Sequence, residues 1–455
     1  MFASRVTRWR AGCFVLFVCF HFSFAFADGL EDFVRRPDGT FAWHVVEQSR
    51  SNHFEQVRLS LTSQLWREKA WSHDLVLVRP EKVRNPSIGF LFITGDGDGR
   101  KQIELLKIVA ERAGALCAVL TKIPNQPLYN GRKEDALIAY TFEQYIKTGD
   151  DSWPLLFPMV KSAVRAMDAV QAFSRTNWQQ SVGSFAVSGA SKRGWTTWLT
   201  AAADRRVTAI APMVIDMLNM KVQTQWAEKV YGKQSEQIKD YTDANLIQRM
   251  DDPGMVQLRK WVDPYSYRER YTMPKLLLLG SNDPYWTVDS LRHYWNDLPE
   301  PKLVYQTPNA GHDLGGGKDA TQTLAAWFEM IADHQKLPKV DWAIRYQEDT
   351  VSLTVHSDQK MRKLTLWTAT SDDRDFRDEK WIAKPVVTET DGKNGTVSLS
   401  RNGHGYQAFL LEGELVAPTG DAYKLSTEAR VIPDDIAVPK AASLPASASV
   451  TATRP

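Results

Sequence analysis

The sequence predicts an α/β protein: a mostly parallel sheet with helices on both faces, interrupted by a helical insertion and followed by a small antiparallel β-sandwich. Three observations predict it. Between residues 88 and 331, short apolar runs alternate with longer amphipathic segments, the rhythm of strands joined by crossover helices. Inside that stretch, Phe185-Ala-Val-Ser-Gly-Ala-Ser-Lys-Arg-Gly-Trp195 reads as a buried strand that breaks into a tight turn and restarts as a helix. From about Val340 the spacing shortens to alternating strands separated by turn residues.

Taken in order, residues 42–46, 57–62, 75–78 and 88–93 have period-two or continuous apolar patterns and are expected as strands, the last fully buried. Thr94-Gly-Asp-Gly-Asp-Gly99 follows as a loop, then a helix over 101–113 and a strand over 115–120. Helices are expected over 133–147 and 155–173, then the strand and helix of the central motif, then a strand over 207–215. Residues 216–270 are polar, helix-prone and out of rhythm, so they form the insertion, a lid. Strand 274–280, a helix near 288–295, strand 302–306 and a helix over 319–331 complete a first domain of residues 28–337. Strands at 351–355, 363–367, 396–400, 405–411 and 423–427 make the sandwich, residues 338–437, and an Ala/Ser/Pro-rich tail at 438–455 is expected to be disordered.

The central motif carries the chemistry. A serine hydroxyl is a weak nucleophile at neutral pH and needs a base within hydrogen-bond reach and an acid to orient that base. Ser191 sits at the apex of a strand–turn–helix, the layout of a nucleophile elbow, with Gly189 two residues before it. The spelling departs from G-x-S-x-G, because Arg193 stands where glycine is expected and the glycine comes one later, at Gly194. In the α/β-hydrolase fold the chain order is serine, acid, histidine, with acid and histidine at the carboxyl ends of later strands. Gly280-Ser-Asn-Asp-Pro-Tyr-Trp286 puts Asp283 past one strand, and Asn309-Ala-Gly-His312 puts His312 past the next. Asp216, closing the strand before the insertion, is the alternative acid. The oxyanion of an acyl-transfer intermediate needs backbone donors. These are assigned to Lys192 and to the glycine-rich loop, at Gly95 and Asp96, a loop that also reads as a plain turn or a weak cation loop. Arg193, Trp195 and Trp286 are expected to bind substrate, and Lys192-Arg193 either meets a substrate carboxylate or faces solvent. No metal or cofactor is called for.

At 455 residues, with 43% apolar and 24% charged residues, the chain is long enough for two or three globular domains. Arg5, Arg8 and Arg10 precede an apolar run to Phe26, and Ala25-Phe-Ala27 supplies a cleavage site. Residues 1–27 are therefore expected to be a signal peptide cut after Ala27, with secretion or a periplasmic location and no membrane-spanning segment afterwards. Cys13 and Cys19 leave with it, so Cys117 has no partner for an internal disulfide. The same cut lowers the formal charge from +2 to about −1, which argues against a nucleic-acid partner. The partner expected instead is a small-molecule or peptide substrate.

Four segments, Ser188-Gly-Ala-Ser-Lys-Arg-Gly-Trp-Thr-Thr-Trp198, Ile210-Ala-Pro-Met-Val-Ile-Asp-Met-Leu-Asn219, Gly280–Trp286 and Asn309–His312, make the chain resemble the PhoPQ-activated pathogenicity-related proteins over roughly residues 30 to 430. The resemblance implies an exported protein of α/β-hydrolase type in a cell-envelope setting linked to virulence, with no defined substrate. Relatives of that family include a secreted repressor of proliferation, which implies a binding or signalling role without turnover as a second possibility. The elbow alone is similar to the G-x-S-R-x-G of glucuronoyl esterases, which implies an oxyanion role for the basic residue and a uronate ester as substrate. The resulting expectation is an exported serine hydrolase of ester or amide bonds; a dipeptidyl-type peptidase is the nearest enzymatic rival.

Overall fold

The computed structural model describes residues 29–51, 53–347, 350–400 and 405–434; the expected signal peptide (1–27) and tail (438–455) lie outside the described residues. The chain opens with helix α1 (Gly29–Arg35) and three long strands, β1 (Ala42–Arg50), β2 (Phe54–Trp66) and β3 (Lys69–Pro80). It then alternates β4 (Ile88–Ile93), α2 (Arg100–Ala113), β5 (Leu116–Leu120), α3 (Glu134–Thr148), α4 (Leu156–Trp178), β6 (Ser184–Ala190), α5 (Lys192–Ala203) and β7 (Val207–Met213). The insertion follows as α6 (Met220–Tyr231), α7 (Lys239–Asp243) and α8 (Pro253–Val262), with 3₁₀ turns at Glu236–Ile238 and Pro264–Arg270. Strand β8 (Lys275–Gly280), strand β9 (Lys302–Thr307) and helix α9 (Lys318–Ala332) end the α/β part.

All nine strands form one sheet in the order β1-β2-β3-β5-β4-β6-β7-β8-β9. Pairing is antiparallel up to the β3–β5 contact and parallel from β5 to β9. The period-two rule fixes which residues face which layer. Leu75, Leu77, Leu91 and Ile93 pack against α1, α4 and α5 on one face, while Val76, Val78, Phe90 and Phe92 pack against α2 and α9 on the other. From β4 the chain moves outward to β5 and returns on the opposite side of β4 as β6. The sheet therefore switches direction between β4 and β6, and a crevice opens at their carboxyl ends, where ligands of such sheets bind.

Beyond α9, β10 (Val340–Tyr346) and β11 (Thr350–Ser357) pair, β12 (Lys363–Ser371) pairs with β13 (Ile382–Val386), and β14 (Asn394–Ser400) pairs with β11. Strand β15 (Tyr406–Val416) lies between β12 and β16 (Ala422–Ser426) and also pairs with β17 (Arg430–Ile432). The result is two antiparallel sheets, whose Val351, Leu353, Leu364 and Leu411 belong to the same apolar cluster as α2 and α9. The helix expected near 288–295 forms instead as two short 3₁₀ turns, Ser290–His293 and Trp295–Asp297. Its buried residues Val288, Leu291 and Tyr294 recur every three positions, the 3₁₀ repeat. Strands β10, β13 and β17 and helix α1 were not among the expected elements; β13 is almost wholly exposed, whereas β10 alternates half-buried Val340, Trp342 and Ile344 with exposed neighbours, a period-two pattern that was there to be read.

Candidate functional site

Ser191 occupies the turn between β6 and α5 with φ 59° and ψ −126°, a conformation that a non-glycine residue adopts only when its surroundings impose it. Its N–H donates to the Met213 carbonyl at 2.9 Å, and its own carbonyl accepts the Trp195 N–H at 2.9 Å, starting the helix. The displaced glycine has a packing reason. A Cβ on Gly194 would lie 2.8 Å from Ile215 and 2.9 Å from the Met213 carbonyl, and one on Gly189 would lie 2.7 Å from the Arg193 carbonyl. Gly189 makes room for the Arg193 backbone, and Gly194 lets the helix start lie against the end of β7.

Asp283 and His312 come together. His312 Nδ1 is 2.8 Å from Asp283 Oδ2, and the Tyr285 N–H donates to Oδ1 at 3.0 Å, so both oxygens of a 5% exposed carboxylate are held. The other ring nitrogen, Nε2, is buried and has no hydrogen-bond partner. No hydrogen bond joins it to Ser191, a link that in serine hydrolases tightens when substrate arrives. Tyr285 stacks on the imidazole with centroids 4.4 Å apart and lines the same cavity as Ser191. Asp216 does not reach the histidine: its Oδ1 accepts the Tyr294 hydroxyl at 2.7 Å. Burial, together with the charges of Asp283, Asp289 and Glu428, pushes its carboxyl up to about 7.

The glycine-rich loop leaves β4 beside the elbow, with the Gly95 carbonyl accepting the Lys122 N–H at 2.8 Å. Asp96 turns outward, toward Gln126 (3.1 Å) and Lys133 (3.4 Å). Arg193, expected to bind substrate, is buried under this loop and is not part of the cavity lining. Its guanidinium makes a two-pronged pair with Glu134 at 2.7 and 2.6 Å, Nε donates to the Ile123 carbonyl, and a Cβ on Gly95 would collide with it. Lys192 does not face solvent: its Nζ is 2.6 Å from Asp135 Oδ2 and lies over the Tyr285 ring at 5.6 Å. Burial opposes its charge, yet the Asp135 carboxylate holds the ammonium above its ordinary range.

Trp195 and Trp286 both line the cavity above Ser191, a space of about 80 Å³. Most of the apolar wall, including Met217, Met220, Ile247 and Met250, comes from the insertion or the residues entering it. A larger cleft of about 570 Å³, between the end of α1 and the β2–β3 tip, contains none of the residues above.

Residues 30–377 match the PhoPQ-activated pathogenicity-related protein family. The chain belongs to that family. The chain is also 33% identical to Autocrine proliferation repressor protein A of Dictyostelium discoideum, over 90% of its own length and 92% of the relative's. Among solved structures it is similar to an acetyl xylan esterase from Paenibacillus sp. R4 (13% identity, TM-score 0.48, 66% of this chain and 92% of that one). It is similar too to acetyl xylan esterase 1 from a Thermoanaerobacterium species (14% identity, TM-score 0.46, 67% and 91%). No described helix of the family member is long and apolar enough to cross a membrane. Three of its site residues escape sequence reasoning. Asp135, which holds Lys192, looks like an ordinary acidic first-turn residue of α3, and Tyr241, which lines the cavity and donates to Asp135 at 2.9 Å, looks like one polar position of the insertion; only Tyr285, two residues after Asp283, had a local signal.

Proposed function

We propose that this protein is a serine hydrolase of α/β-hydrolase type that transfers a short apolar acyl group to water. The single observation that carries the reading is the Asp283–His312 hydrogen bond with Nε2 left buried and unpartnered, joined through Tyr285 to the cavity that holds Ser191 in its elbow geometry. Ser191 Oγ attacks the ester or amide carbonyl as His312 Nε2 takes its proton, and Asp283 orients the imidazole and stabilises its charge. The Lys192 N–H, at the free N-terminal end of α5, and the Gly95 N–H stabilise the oxyanion. The tetrahedral intermediate collapses, His312 returns the proton to the leaving group, and water then attacks the acyl-serine by the same route.

A cavity of about 80 Å³ is roughly half of one that holds benzene, roughly 150 Å³, which favours a short acyl group over a long one. In this reading residues 216–270 act as the lid over residues 28–337, residues 338–437 form a β-sandwich, and the enzyme is exported after cleavage of residues 1–27. Labelling by a fluorophosphonate probe, lost in Ser191→Ala, tests the nucleophile; folded wild-type protein that resists the probe would sink the reading. A panel of p-nitrophenyl esters and peptide amides tests the bond class, with acetate and butyrate expected to outrun octanoate.

One observation favours a second reading, a signalling protein without turnover: the name of the Dictyostelium relative, a proliferation repressor. If Ser191→Ala abolished labelling yet left the biological effect of the secreted protein intact, that reading would replace the first.

A further inference from the structure

We propose that residues 372–381, the connection between β12 and β13, are a clamp that holds the acid loop and the histidine loop together, with Asn282 and Asn309 as its positioning residues. The inference rests on the hydrolase reading for its functional meaning, but the clamp itself is a matter of geometry.

Asn282 precedes Asp283, and its side-chain amide donates to three carbonyls of the segment: Phe376 at 2.9 Å, Arg377 at 3.3 Å and Glu379 at 2.7 Å. Asn309 lies three residues before His312 and makes a paired contact with one backbone unit. Its Nδ2 donates to the Trp381 carbonyl at 2.9 Å, and its Oδ1 accepts the Trp381 N–H at 2.8 Å. The two loops are also bonded to each other, through the Asn282 N–H to the Ala310 carbonyl and the Asn309 N–H to Ser281 Oγ, each at 2.9 Å. They approach so closely that a Cβ on Gly280 would strike the Ala310 and Gly311 carbonyls.

The segment is anchored as well as anchoring. Phe376 and Trp381 are buried in an apolar cluster with Val288 of the acid side and Ala369, Ala408 and Leu410 of the C-terminal sheet. Arg374 binds the buried Asp289 at 3.0 Å and lies over the Trp226 ring of α6, while Arg377 lies over Tyr231 at the end of the same helix. One stretch of the C-terminal β region thus touches the acid loop, the histidine loop and the first helix of the insertion. A serine hydrolase tolerates little error in these positions, since a displacement of ~1 Å can cost about a hundredfold in rate.

The test uses the full chain with Asn282→Ala and Asn309→Gly. Glycine is chosen at 309 because the residue sits at φ 56°, where it removes the side-chain bonds without backbone strain. Asn309→Asp, which keeps the acceptor and loses the donor, is the graded variant should glycine prevent folding. Thr323→Val is the control: it removes two 3.1 Å bonds to Lys424 across the α9–β16 contact, away from both loops. Readouts are melting temperature, kcat and KM on p-nitrophenyl acetate, and hydrogen exchange of peptides covering 281–286 and 309–314. The clamp predicts a kcat loss of about ten- to a hundredfold with little change in KM, and faster exchange in both loops, for the two asparagine variants only. Activity losses that merely track melting temperature, equally in Thr323→Val, would overturn it, and so would unchanged exchange in the loops. If the wild type neither labels nor turns over, the hydrolase reading fails separately, and loop exchange still decides the clamp.

Discussion

At the scale of single residues, the off-pattern elbow is a coupled exchange of positions. Putting the glycine one residue later frees position 193 for an arginine, and that arginine lies beneath Gly95, joined to Glu134 by two hydrogen bonds. Gly95→Ala would drive its Cβ into the guanidinium and move the loop, so kcat should fall by about 10²–10³, the loss typical of a missing oxyanion donor. Arg193→Met should lower kcat with KM nearly constant, checked on the same ester. The two aspartates separate cleanly. Asp283→Asn holds the imidazole in the wrong tautomer, with its proton on Nε2, and should cost about 10⁴ in kcat, while Asp216→Asn should leave kcat close to wild type. Asp216 instead sets a pH dependence of stability. Burial raises its carboxyl to about 7 in the folded protein, so the unfolded chain ionises first and stability falls as pH rises from about 4 to about 7. The melting temperature of Asp216→Asn should therefore match wild type near pH 4, pull ahead as pH climbs to 7, and keep a constant lead above it.

At the scale of elements, the insertion shapes the cavity above Ser191. Residues from α6 to the loop before α8 supply Met220, Ile238, Tyr241 and Met250, and the Tyr241 hydroxyl donates to Asp135 at 2.9 Å, the same carboxylate that holds Lys192. The insertion is thus tied to the first residue of α5, the helix that Ser191 caps. Met250→Ala should deepen the pocket and move the preferred p-nitrophenyl ester toward longer chains; an unchanged optimum would mean the acyl group does not enter here. The insertion was visible in the sequence as a break in rhythm, because a polar helical stretch stands out against buried parallel strands. Its contribution of apolar wall was not visible, since Met and Ile scattered over about thirty residues have no periodicity until folding brings them together. The 288–298 stretch shows the converse: apolar residues every third position were legible, but a three-residue repeat resembles a helix until its hydrogen bonds are seen.

At the scale of the whole molecule, the two C-terminal sheets are not an independent appendage. Val351, Leu353 and Leu411 share an apolar cluster with Leu324 and Phe328 of α9 and Phe90 of the central sheet. A chain ending at residue 337 would expose that face of α9 and α2 to water, so it should be insoluble or lack fixed side-chain packing, as near-ultraviolet circular dichroism would report. The sequence marked the change of style near Val340 because strand spacing and turn residues are local properties. It did not show that the two parts share a core, because contact between distant apolar residues has no local signature.

Local pattern determined the order of strands and helices in the α/β part, the strand–turn–helix at Ser191, and the positions of Asp283 and His312 just past β8 and β9. Each of these depends on residues close together in the chain: apolar period, turn-forming glycine, and charge at a strand end. Tertiary structure alone decided that Asp283 rather than Asp216 meets His312, that Arg193 supports a loop instead of facing the pocket, and that Asn282 and Asn309 reach residues 372–381. Those outcomes depend on burial and on partners tens of residues away, and a carboxylate or guanidinium looks the same in sequence whether its partner is a substrate, another side chain or water.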